Sequence, residues 1–84
     1  MNDTDLKSQV IAIIRTIAPE VEAETLRPDV ALRKQVDLDS MDWLNVLLAI
    51  HEQLHVDIPE ADYGKLVTLN DIVAYLRQRT GAGT

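Results

Sequence analysis

Apolar residues in this chain recur at intervals of three and four, and no segment sustains the alternation of a strand. That spacing restricts the fold to helices packed on one another. Leu6, Val10, Ile13, Ile14 and Ile17 mark the inner face of a first helix, which Asp3 or Thr4 can cap. Pro19 ends it, because the residue before a proline is pushed out of the α region. Residues Pro19–Leu38 then form a long loop dotted with Val21, Leu26, Val30, Leu32, Val36 and Leu38. A loop of that length in so short a chain is functional or carries a helical turn, here placed at Leu32–Val36.

Asp39 is a good N-cap for a second helix over Ser40–His55, and Asp42 adds a favourable charge to its first turn. Its apolar residues fall in two stripes, Met41/Leu44/Leu48 and Trp43/Val46/Leu47/Ile50/Leu54. Both stripes together predict a helix buried over about half its circumference and central to the bundle. Pro59 opens a short element over Glu60–Leu66. Thr68 caps a last helix with Asp71 in its first turn, Leu69, Ile72, Val73 and Leu76 facing inward, and Arg77 and Arg79 in its last turn. The expected fold is all-α: a small antiparallel bundle of three main helices plus one short helix. It forms a single domain over residues 1–80, with 81–84 a disordered tail.

The charge is unevenly spread. The chain's net charge is −6, and the segment from Gln35 to Gly64, where seven acids stand with no Lys or Arg, more than accounts for it. The remainder, with seven acids and eight bases, is close to neutral. An acidic middle argues for basic protein partners and against nucleic acid. The longest uninterrupted apolar run, Val46–Ile50, is far too short to span a bilayer. The absence of Cys and of a basic-then-apolar leader suits a monomer in a reducing cytoplasm.

Asp39-Ser40-Met41-Asp42, at the start of a buried helix, resembles the Asp-Ser-Leu attachment motif of acyl and peptidyl carrier proteins. The resemblance runs from about Asp3 to Arg79. It takes in the Leu32-Arg33 turn before the motif, the Val56-Asp57-Ile58-Pro59 segment after the second helix, and Thr68 before the last. It implies that Ser40 receives 4′-phosphopantetheine from coenzyme A through a phosphopantetheinyl transferase. It also implies that the protein carries an acyl or aminoacyl thioester and is no enzyme. Acyl-loading and acyl-transfer partners with basic patches would meet Asp37, Asp42 and Glu52. The chain departs from the family at Asp37, where Gly is frequent, and at Met41, a volume-conserving change. The second helix is also less acidic than in carriers of fatty acid synthesis: beyond Asp42 it offers Asn45, His51, Glu52 and Gln53. That thinning points to a specialised lipid or secondary-metabolite pathway. Trp43, the only tryptophan, reads as a core side chain one turn beyond Ser40, where it could also narrow the mouth of an acyl cavity.

A rival motif sits at the other end of the same helix. His51-Glu52-Gln53-Leu54-His55 matches H-E-x-x-H, in which two histidines share a helix face to hold zinc and the glutamate serves as base. Against a zinc peptidase stand the lack of a third histidine, the 29 residues left after His55, and the buried stripe to which Leu54 belongs. Both histidines therefore read as surface residues. A calcium loop starting at Asp37 fails at once, with Asp42 where Gly is needed and Leu48 where Glu is needed.

Overall fold

In a computed structural model, which describes residues 3–80, the chain forms four α-helices. They are α1 (Asp3–Ile17), α2 (Leu32–Gln35), α3 (Ser40–Leu54) and α4 (Leu69–Thr80). Two short 3₁₀ turns, Ala23–Thr25 and Glu60–Lys65, complete the order. Among the described residues there is no strand, only one isolated bridge between Ala31 and Thr68. None of the helices is long and apolar enough to cross a membrane. The all-α bundle expected from apolar spacing is the observed one; the expected tail at 81–84 lies outside the described residues.

Asp3 and Thr4 lie inside α1, so neither precedes it as a cap. The helix ends at Ile17, and the Ala18 amide still reaches the Ile14 carbonyl before Pro19 blocks continuation. Leu6, Val10, Ile13 and Ile14 are at most 2% exposed. This helix, not α3, is the hub, because it packs against both α3 and α4. The expectation that α3 is central is therefore corrected. So is its burial. Trp43, Val46, Leu47 and Ile50 are in the core and Leu54 is half-buried, but Met41, Leu44 and Leu48 are 66%, 38% and 48% exposed. At 100° per residue the two stripes lie roughly 140° apart, nearly on opposite faces, and α1 covers only one of them.

The long loop is held by polar contacts. The Gln35 side-chain amide donates to the carbonyls of Arg27 (2.7 Å) and Val30 (3.0 Å), and its oxygen accepts from the Arg27 amide at 2.8 Å. Backbone bonds Leu32 N to Val67 O (2.9 Å) and Asn70 N to Pro28 O (3.0 Å) fasten the loop to the start of α4. There Thr68 Oγ1 accepts from the Asp71 amide, and the Asp71 carboxylate accepts from the Thr68 amide, each at 3.0 Å. Two donors that the helix itself cannot satisfy are thus met reciprocally.

The 60–65 turn is latched to α4 through Asp62. Its carboxylate accepts from the Tyr75 hydroxyl at 2.7 Å and pairs with Lys65 and Arg79, each at 3.3 Å. The Arg79 guanidinium also lies 4.7 Å from the centre of the Tyr75 ring. The Tyr75 hydrogen bond, above all, holds the Asp62 carboxyl below its ordinary range. Burial, then the bond to Asp62, pushes the Tyr75 phenol up. Each partner thus holds the other in its bonding form at neutral pH.

Candidate functional site

Ser40 is the first residue of α3, and its side chain is exposed. Asp39 adopts an extended conformation before it (φ −80°, ψ −179°), and its Oδ1 accepts from the Asp42 amide at 2.8 Å. The expected cap is therefore the observed one. A cap on the third amide leaves the amides of Ser40 and Met41 at the open, positive end of the helix. An anion bonded to the Ser40 oxygen would meet that end without displacing any protein group.

The loop before the motif is fixed from an unexpected direction. Arg33, on α2, donates from Nε to the Leu38 carbonyl at 3.3 Å, with Leu38 itself buried. This contact sets the approach to α3 two residues before Ser40. Arg33 also lines a hollow of about 260 Å³ with Ala31, Trp43, Tyr63, Leu66 and Val67. Trp43 stands one turn beyond Ser40, and residues at that spacing are about 5–6 Å apart at Cβ. It is 9% exposed, so it serves the core, as expected, while one edge faces this hollow. Sequence reading placed Arg33 in a turn and gave it no role, because nothing local shows that α2 lies beside Ser40.

Asp37, Asp39 and Glu52 are exposed and Asp42 is half-buried. Asp39 and Asp42 flank Ser40 at the start of α3, whereas Glu52 lies three turns along the helix and Asp37 lines the cavity under the long loop with Glu20 and Glu22. The exposed stripe Met41, Leu44 and Leu48 starts beside Ser40 and runs along the same side of the helix. Sequence reading assigned that stripe to the core, although its centre lies roughly 140° around the helix from that of the buried stripe.

The rival site at the far end of α3 is not assembled. The helix stops at Leu54, and His55 turns into the left-handed conformation (φ 54°, ψ 42°), its amide donating to the His51 carbonyl. The two histidines are exposed and no longer succeed each other on one helical face. Among the described residues, no three His, Asp or Glu side chains converge to hold a metal ion.

Comparison with known proteins gives a consistent result. The family model for the phosphopantetheine attachment site matches residues 8–76. The chain is 26% identical over 82 residues to an acyl carrier protein of Thermosynechococcus vestitus, covering 98% of this chain and all of that one. An acyl carrier protein of Picosynechococcus sp. is 29% identical over 63 residues, 75% of this chain and 78% of its own. One from Desulforapulum autotrophicum is 25% identical over 75 residues, covering 89% and 97%.

Proposed function

The chain belongs to the acyl carrier protein family, whose cofactor is 4′-phosphopantetheine and whose members are carriers and not enzymes, and on that premise we propose that Ser40 is the attachment residue. The observation that carries the proposal is an exposed serine opening a capped helix inside the matched region. The open helix end favours the attached phosphodiester by roughly 0.3–1 kcal/mol, less when salt screens it. Among the described residues no titratable side chain hydrogen-bonds to Ser40, which supports a passive hydroxyl whose proton the transferase takes. The arm supplies a thiol of ordinary pKa, about 8.5, and its thioester is an electrophile for partner enzymes.

Partners dock along the side of α3 that Ser40 opens. Asp37, Asp42 and, further along, Glu52 steer a basic partner, and Met41, Leu44 and Leu48 supply apolar contact. The reduced acidity of α3 supports service in a specialised lipid or secondary-metabolite pathway, and the lack of Cys suits a reducing cytoplasm. Incubation with coenzyme A and a broad-specificity phosphopantetheinyl transferase should raise the intact mass by one phosphopantetheine. Ser40→Ala should abolish the gain and leave the helical circular dichroism unchanged. A gain that survives the substitution would place the arm elsewhere.

A further inference from the structure

We propose that Arg33 is a binding residue for the donor of the arm, pairing the diphosphate of coenzyme A while the transferase holds that molecule against Ser40. The inference rests on the reading that Ser40 receives the arm. In that transfer the Ser40 oxygen attacks the phosphorus that bears pantetheine, and a new O–P bond forms. The bond from that phosphorus to the bridging oxygen breaks, and its electron pair leaves with adenosine 3′,5′-bisphosphate. The hydroxyl proton passes to a base of the transferase. Negative charge therefore grows on a phosphate standing next to Ser40, where a fixed cation stabilises it most.

The start of α3 is poorly suited to such a donor. Asp39 and Asp42 flank Ser40, and no Lys or Arg follows until Lys65. Carboxylates there favour a basic transferase surface and repel the phosphates of coenzyme A. Arg33 is the exception. It is exposed, and it forms no ion pair among the described residues. Its Nε donates to the Leu38 carbonyl at 3.3 Å, and Leu38 stands two residues before Ser40. Chain geometry therefore keeps the guanidinium within about 10 Å of the Ser40 backbone. The bond to Leu38 leaves the outer nitrogens, whose forked N–H groups suit two phosphate oxygens at once. It also holds the guanidinium in place beforehand, so less freedom is lost when an anion pairs with it. Lys34, likewise exposed, adds a second cation to the same short helix.

Ser40→Ala stops turnover, so binding alone can be read. The affinity of this variant for a broad-specificity phosphopantetheinyl transferase should be titrated with and without coenzyme A. By linkage, carrier and coenzyme A raise each other's affinity for the transferase by the same factor. With Arg33 in place that factor should be about fivefold or more at low salt and should shrink as salt rises. Arg33→Gln keeps an N–H donor for the Leu38 carbonyl and loses the charge. It should bring the factor near one while leaving the affinity without coenzyme A unchanged, and Arg33→Lys should retain part of the factor. If Arg33→Gln does not fold, the salt dependence with Arg33 in place decides, and a factor indifferent to salt overturns the inference. So does a factor near one with Arg33 present, or one that survives Arg33→Gln. An equal loss of affinity with and without coenzyme A also overturns it, since Arg33 would then touch the transferase or merely support the loop. In each of these cases a phosphopantetheine mass gain on the parent protein leaves the attachment at Ser40 standing. A parent protein that never gains that mass defeats the attachment reading, and the inference with it.

Discussion

Leu47 and Leu48 are neighbours in sequence and identical in chemistry, yet Leu47 is fully buried and Leu48 is 48% exposed. They represent the two faces of α3. One face, with Trp43, Val46 and Ile50, is covered and fixes the helix in the fold. The other, with Met41 and Leu44, is open, and Ser40 stands at its head. Both sides carry large apolar residues; coverage by α1 separates them. Apolar surface left uncovered is what the proposed docking face offers a partner.

The largest test of this difference is a pair of truncations. Leu47→Ala should cost about 2–5 kcal/mol in denaturant unfolding, the range for emptying a core leucine. Leu48→Ala should stay within about 0.5 kcal/mol, while slowing transfer of phosphopantetheine from coenzyme A. Equal destabilisation by the two would mean that the open face is covered in solution.

The charges that flank the open face come next. Asp42→Lys should lower the loading rate at limiting carrier concentration more than Glu52→Lys, because Asp42 is in the first turn beside Ser40. Both effects should shrink as salt rises. Asp42→Lys also puts a cation at the positive helix end and should cost up to about 1 kcal/mol, so a melting curve must accompany the rates. Equal rates for both variants and the parent would reduce Asp37, Asp42 and Glu52 to an ordinary solvated surface.

The ends of α3 sharpen the same lesson about motifs. Asp39-Ser40 and His51-Glu52-Gln53-Leu54-His55 both match functional patterns, but only the first keeps the geometry its pattern needs. His55 holds a left-handed conformation that costs a non-glycine residue about 1 kcal/mol or more. His55→Gly should therefore stabilise the fold by about 1 kcal/mol or somewhat less, read as a higher melting temperature. A loss of stability would show that the imidazole itself holds the helix end. The smallest effect belongs to His51→Ala, which should stay within about 0.5 kcal/mol. Protein prepared without chelator should hold well under one zinc per chain; stoichiometric zinc retained through dialysis would revive the metal site.

Most of the fold was legible because its signals are local. Pro19 stops α1, Asp39 caps α3, and Thr68 with Asp71 starts α4, each through groups within four residues of one another. What sequence could not show depends on packing partners. Burial of Met41, Leu44 and Leu48 required a neighbour on their side, and the hub proved to be α1. Arg33 reaches the approach to Ser40 only because the loop folds α2 against it. The Asp62 latch joins residues 13 and 17 positions apart, a pairing no local pattern announces. His55 reads as one more helical residue until the chain turns there.

The acidic middle also makes the central claim easy to test. Between Lys34 and Lys65 there is no Lys or Arg, so trypsin releases residues 35–65 as one fragment, and Ser40 is its only serine or threonine. After loading with coenzyme A and transferase, mass analysis should find the added phosphopantetheine on that fragment alone, and fragmentation should place it at Ser40. An added mass on any other fragment, or none after exhaustive incubation, would contradict the assignment of this chain's carrier function to Ser40.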